Sequence, residues 1–287
     1  MRARVPASAA NLGPGFDVLA LALGLYIEVE IEPAEKLIVR SAGEGAELAS
    51  DANHLAAMVA IEVAGHDRLA ISVRSSIPVA RGLGSSAALA VAAAAAAGSR
   101  DPLFAGVEMD GHPENAAASY YGGLVSATVI RNKVQAVKFP LDERLAFVTL
   151  VPDQPLSTKK ARSVLPDMIH RGDAAFNMGR MAMLLAGLGD MDRLTKDACA
   201  DRLHQDYRST LFPQAPEIMS ALLDGGALAS CWSGAGPTLL AICKSSDAPA
   251  VVAAGSDILQ NVGVKGRVLQ LKPDLRGLLV DDQIPDW

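Results

Sequence analysis

The stretch Pro78-Val-Ala-Arg-Gly-Leu-Gly-Ser-Ser-Ala-Ala88 decides how this chain folds. Gly82 and Gly84 permit positive φ angles and a close backbone approach that side chains would block. The alanine-rich run that follows predicts a long buried helix from Ser85 to Ala97, stopping at Gly98, the residue type expected just past a helix end. The first amides of such a helix lack intrahelical partners and sit at the positive end of its dipole, so the loop suits an anion. Ser85 and Ser86 add hydroxyls able to touch a phosphate or a metal. No lysine follows the glycines, so this is not a Walker A loop. Alone, the string reads equally as a plain helix start with serine caps.

Working outward, Val5 to Ala9 and Leu25 to Ile31 predict strands, the second alternating apolar and acidic residues as a half-exposed strand should. Leu37 to Arg40 and Leu69 to Arg74 repeat the pattern, and Asn53 to Ala64 predicts a helix. Downstream come a helix from Glu114 to Tyr121, ended by Gly122-Gly123, and strands Leu124 to Ile130 and Val134 to Phe139 about the turn at Arg131-Asn132-Lys133. The polar break Pro140 to Arg144 separates two expected domains, 1–143 and 144–280, with 281–287 as a loose tail. The second half predicts strands at Leu145 to Val151, Ala229 to Trp232 and Thr238 to Cys243. Its expected helices are Thr158 to Val164, Ala174 to Leu188, Met191 to Leu203 and Ala248 to Asn261. Helices mixed with antiparallel-looking strands in both halves predict an α+β fold.

Of 287 residues, half are hydrophobic, which is ample for a core. Acidic residues (32) outnumber basic ones (26), with no basic stripe, which argues against a nucleic-acid partner. A nest of amides can still hold a small anion without net positive charge. Cys199, Cys231 and Cys243 show no C-x-x-C pairing and predict reduced thiols. The opening Met-Arg-Ala-Arg-Val-Pro lacks an apolar signal region, and the apolar run Ala87 to Ala97 is too short to span a bilayer. A cytoplasmic chain with no membrane association is expected.

Two more stretches matter. Val5-Pro-Ala-Ser-Ala-Ala-Asn-Leu-Gly-Pro-Gly-Phe-Asp17 runs from a strand into a turn presenting Asn11 and Asp17, and Ser233-Gly-Ala-Gly-Pro-Thr238 is a glycine turn between strands. With the glycine-rich loop between them, in this order and over nearly the whole chain, the sequence resembles the GHMP kinases. The resemblance implies a two-domain fold, its N-terminal half like domain 2 of ribosomal protein S5 and its C-terminal half ferredoxin-like, with nucleotide and substrate meeting between them. It implies that ATP lies along Pro78, Val79, Ala80, Arg81, Gly82, Leu83, Gly84, Ser85 and Ser86, with Asn53 near the purine. Gly234 and Gly236 would close over the site, although a tight hairpin alone could require them.

The string Gly111-His-Pro-Glu-Asn-Ala-Ala-Ala-Ser-Tyr-Tyr-Gly-Gly123 is similar to the homoserine-kinase branch, whose usual form is G-H-P-D-N, so Glu114 replaces an aspartate. Mevalonate and galactose kinases place an aspartate, able to act as a base, where Asn115 falls here; an amide cannot take that role. The resemblance implies that Asn115 positions the attacking hydroxyl, with the proton leaving to phosphate or solvent. Ser157-Thr-Lys-Lys-Ala-Arg-Ser-Val-Leu-Pro166 supplies Thr158 and Arg162, and Asp201-Arg-Leu-His-Gln-Asp-Tyr-Arg208 supplies Arg208. By that likeness Asn11, Asp17, His112, Thr158, Arg162, Arg208 and Gly234 surround L-homoserine, and Arg162 joins Asn115 in catalysis. Asp17 would meet the ammonium and the arginine forks the carboxylate, in a reaction feeding threonine synthesis. Singly, the arginines read as surface charges and His112 as a cap for the helix from Pro113.

The pattern departs at the metal. The resemblance implies Mg2+ held by a loop serine and a glutamate on the preceding helix; in several relatives that glutamate falls eleven residues before the Asn115 position, which here is Phe104. Residues 98–107 also read as shortened. Glu108, four residues on along the same helix face, is expected to pair with Ser86, with Asp110 as the fallback. This departure keeps open a metabolite sensor without catalysis, and the pocket alone also leaves a kinase for another small hydroxy compound such as threonine. The family also implies a homodimer.

Overall fold

Alternating small apolar residues in Arg2–Asn11 (β1) and Gly15–Pro33 (β2) form the spine of the fold, a long antiparallel pair joined by a tight turn. The computed structural model describes residues 1–285. Along its second edge β2 pairs twice. Residues 19–21 take Leu124–Ile130 (β5), and residues 27–33 take Leu69–Ser75 (β4). Ile38–Gly43 (β3) runs parallel to β4, and Lys133–Phe139 (β6) closes a hairpin with β5. The helices of this half are α1 (Leu55–Ala64), α2 (Ser85–Ala96), α3 (Pro102–Asp110) and α4 (Pro113–Tyr121).

The second half begins with β7 (Leu145–Pro152), α5 (Thr158–Ser163), α6 (Arg171–Gly189), a 3-10 turn at Met191–Arg193 and α7 (Gln205–Arg208). It continues through α8 (Ala215–Asp224), β8 (Ala229–Trp232), β9 (Leu239–Lys244), α9 (Ala248–Asn261) and β10 (Gly266–Leu271). Its strands form one antiparallel sheet in the order β10-β7-β9-β8. The last strand, β11 (Leu279–Val280), returns to pair with β1 in the first sheet. The α+β class expected from the sequence is the class observed.

Helix α2 lies at the centre of the first half. Every residue from Ala87 to Ala96 is buried, because β1, β2, α1, α3 and α4 surround it. A helix apolar on all sides is one covered on all sides, and alanine lets the neighbours approach closely. Gly106 of α3 shows how closely: a Cβ there would lie 2.5 Å from Val91. Among the described residues no helix is long and apolar enough to cross a membrane.

Three parts of the chain differ from expectation. Met191 to Leu203 is a 3-10 turn followed by turns rather than a helix. The carboxylate of Asp201 accepts from the amides of Leu203, His204 and Gln205, so side-chain bonding replaces the helical ladder until α7 begins. Helix α8 and strand β10 were not expected, although Ala215, Ile218 and Leu222 mark the buried face of α8 at helical spacing. The start of the expected loose tail is tied down: Asp281 N–H donates to Arg2 O (2.8 Å), and Arg2 N–H donates to Asp281 Oδ1 (3.0 Å). Residues 286–287 of that segment lie outside the described residues.

The two halves meet at three turns. Gly234 N–H donates to Ala10 O (2.9 Å), the Ser233 hydroxyl to Gly82 O (2.7 Å), and Leu156 N–H to Ala80 O (3.0 Å). The β1–β2 turn, the glycine-rich loop and the 233–237 turn are thereby fixed around one cleft.

Candidate active site

The cleft is lined by Asn11, Asp17, residues 80–86, His112, Glu114, Asn115, Thr158, Arg162, Arg208, Gly234 and Ala235. Most of the residues expected to share a site therefore do share one. Asn53, Pro78, Val79 and Glu108 are not among those lining it. Asn53 is exposed, with its amide bonded to Asp51 Oδ1 (2.8 Å), and Pro78 is buried beneath the loop.

The glycine-rich loop takes left-handed φ angles at Ala80 (55°), Gly82 (76°) and Gly84 (66°). Gly84 is the N-cap of α2 and no side chain caps the helix, so Ser85 and Ser86 do not act as serine caps. The amides of the first turn and the dipole behind them are left to serve the cleft. Gly82 and Gly234 also face each other: a Cβ on Gly234 would lie 3.0 Å from Gly82 O. The glycines therefore serve loop-on-loop packing as well as backbone access. Arg81 contributes backbone rather than charge. Its guanidinium donates to the carbonyls of Val79 (2.8 Å), Pro152 (2.9 Å) and Asp153.

At the polar end, Asn11 sits at φ 71°, donates from Nδ2 to Gly234 O (2.8 Å) and accepts from Asp17 N–H at Oδ1 (2.9 Å). Asp17 pairs with Arg162 Nη2 at 2.6 Å. Arg208 is fully buried, donating through Nη1 to Gly234 O (2.8 Å) and to His204 Nδ1 (2.9 Å). His204 in turn faces Gly13 O through Nε2 (2.8 Å), which places its single proton on Nε2 and leaves Nδ1 to accept. Burial holds this imidazole neutral, drawing its pKa down to about 4. Burial, followed by the like charge of Arg162, draws Arg208 down to about 10, still a cation at neutral pH. Among the described residues the Nε atoms of Arg162 and Arg208 are buried with no hydrogen-bond partner. Two neighbouring guanidinium groups lining one cleft have the charge and donor geometry to bind a carboxylate.

Asn115 is held by Ser8, whose hydroxyl donates to Asn115 Oδ1 (2.9 Å), while Asn115 Nδ2 donates to Glu114 Oε1 (3.1 Å). This fixes which way the amide points. His112 is the N-cap of α4 but makes no capping bond through its side chain, and its ring lines the cleft. Glu114, in the first turn of α4, is buried and lines the cleft too.

The expected metal pair is not assembled. Glu108 is exposed and lines a separate groove with Glu62, Asp101 and Phe104, away from Ser86. The reason is the orientation of α3: Gly106 packs on α2, so a residue two positions later points away from it. The side chain of Asp110 lies outside the described residues. Among the described residues no three His, Cys, Asp or Glu side chains converge on a cation position. Among the described residues the carboxylates lining the cleft are Asp17, engaged with Arg162, and Glu114, engaged with Asn115.

Sequence reasoning gave no role to Ser8, Phe16 or His204. Ser8 had a signal, a hydroxyl among the buried alanines of β1, but its partner is 107 residues away.

The model of the GHMP kinases N terminal domain matches residues 52–123, and that of the GHMP kinases C terminal matches residues 182–258. The chain is 40% identical over 255 residues to the homoserine kinase of Caldicellulosiruptor saccharolyticus, covering 83% of this chain and 82% of that one. It is 37% identical over 293 residues to the homoserine kinase of Moorella thermoacetica, covering 96% and 98%. The crystal structure of homoserine kinase from Cytophaga hutchinsonii superposes with a TM-score of 0.83 at 26% identity, covering 97% and 96%.

Proposed function

The chain belongs to the GHMP kinase family, and we propose that it transfers the γ-phosphoryl group of ATP to the side-chain hydroxyl of L-homoserine. The products are ADP and O-phospho-L-homoserine, a step of threonine biosynthesis carried out in the cytoplasm. The observation that carries the substrate assignment is the pairing of part-exposed Arg162 with buried Arg208, two guanidinium groups with unpartnered Nε atoms lining the cleft that also holds the anion-binding loop.

ATP phosphates rest on the amides of residues 82–86 at the start of α2, where the dipole favours negative charge. The substrate carboxylate bridges Arg162 and Arg208, and its ammonium takes the Asp17 carboxylate that Arg162 holds at 2.6 Å. Its hydroxyl then lies toward Asn115, whose orientation Ser8 sets. Asn115 does not titrate, so it aligns the nucleophile rather than deprotonating it. Phosphoryl transfer depends mostly on alignment and charge stabilisation, and it tolerates that division of labour.

Magnesium suits the donors present. Mg2+ bound with a nucleotide needs one or two protein oxygens beside phosphate and water, and the cleft offers the Ser86 hydroxyl and the Glu114 carboxylate. We assign those two residues to hold it, with Glu114 in the place expected for Glu108. When bound, the ion neutralises charge on the transferring phosphates.

The test is ADP release in a coupled assay with L-homoserine, L-threonine, galactose and mevalonate. Turnover with homoserine should far exceed the others. Equal background rates throughout would end the kinase assignment and favour metabolite sensing.

A further inference from the structure

Two cations held this close inside a protein repel each other, and the arrangement needs something to hold it. The Cζ atoms of Arg162 and Arg208 each lie over the ring of Phe16, 5.5 Å from its centroid. That distance is within cation–π range. His204 stacks on the same ring, with centroids 5.2 Å apart and planes at 27°. The turn just before the ring is anchored at two points: Gly13 O meets His204 Nε2 (2.8 Å), and Pro14 O accepts from Asn177 Nδ2 (3.4 Å). Asp17 offsets part of the charge, by its ion pair with Arg162 and through space with Arg208, to which Asp201 and Glu114 also add negative charge. Asp17 is also the group a substrate ammonium would claim.

We propose that Phe16 is a positioning residue for carboxylate recognition. The electron-rich ring holds both guanidinium groups in place where they line the cleft. It thereby sets the preference for a substrate with a free carboxylate over one without. This rests on the assignment of Arg162 and Arg208 to that carboxylate.

The test compares L-homoserine with L-homoserine amide, which keeps the hydroxyl and ammonium but lacks the anion, in the wild type and in Phe16→Leu, Phe16→Met and Phe16→Tyr. The leucine and methionine variants should raise KM for homoserine about tenfold, the middle of the cation–π range. They should shrink the homoserine-to-amide ratio of kcat/KM by the same factor and change KM for ATP less than about twofold. Tyrosine, which keeps the ring, should keep the ratio. A pure packing role would lower both substrates alike. An unchanged ratio in a folded leucine or methionine variant, or loss of folding in both, makes Phe16 a packing residue and overturns the proposal. A wild type that does not distinguish homoserine from its amide overturns the arginine assignment beneath it, whatever the variants do.

Discussion

Asn115 is an amide with both ends engaged, Oδ1 by Ser8 and Nδ2 by Glu114, and its predicted contribution is orientation alone. Asn115→Ala should lower kcat about 100-fold, the scale for losing one positioned polar group, without adding or removing a limb of the pH–rate profile. Near-normal turnover would exclude it from the mechanism. Ser8→Ala tests the same point from behind. It frees the amide to rotate, so kcat should fall while both KM values stay near those of the wild type; an unchanged kcat would show that the hydroxyl serves only the strand. The two arginines should separate. Arg162→Leu and Arg208→Leu should each raise KM for homoserine roughly ten- to a hundredfold, as the loss of a charged hydrogen bond of about 1.5–3 kcal/mol requires. Arg208 is buried and also bonds Gly234 O and His204, so its loss should lower the melting temperature as well, whereas loss of the part-exposed Arg162 should not. Unaltered KM in both variants would remove the arginines from substrate binding, and an unchanged melting temperature would remove Arg208 from a structural role as well.

At the scale of elements, the glycine-rich loop and α2 are coupled to β1 more closely than a free phosphate loop would be. A Cβ on Gly84 would collide with the Ser8 hydroxyl and come within 3.1 Å of Asn115 Oδ1, at a φ of 66° that L-residues adopt at a cost of about 1–2 kcal/mol. Gly84→Ala should therefore lower both stability and kcat, not nucleotide affinity alone. Denaturant midpoints and ATP titration of the same sample would show it. A variant with wild-type stability and only weakened ATP binding would mean the loop shifts freely away from β1.

For the whole molecule, acid is the informative stress, because His204 of the second half is wedged against Gly13 of the first. Its folded pKa of about 4 lies below the ordinary value of 6.5. Between those two values the unfolded chain binds a proton that the folded one refuses, so stability falls on acidification from about pH 6.5 toward 4. Above pH 6.5 this group adds no slope, and below 4 it causes no further loss. Urea midpoints at pH 7.5, 6 and 5 should decline in the wild type and decline less in His204→Gln. Parallel declines would place the acid sensitivity elsewhere.

The local chemistry of the site was legible from the sequence. Glycines before a small-residue run predict the loop and α2, a strand followed by A-N-L-G-P-G-F-D predicts the first turn, and Ala248–Asn261 was bounded correctly as α9, because each depends on neighbouring residues. The order of the three motifs was enough to indicate the family. Tertiary structure decided what lies across the cleft from each residue. Periodicity puts Glu108 and Phe104 on one face of α3 but cannot say that α2 occupies the other, which is why the glutamate chosen from spacing points to a different groove. Arg81 binds carbonyls of a strand that follows it by some 70 residues, Asp17 meets Arg162 across 145, and Ser8 meets Asn115 across 107. Pairings at such separations are set by how the two halves dock and how α4 packs on β1, and no local pattern of residues encodes them.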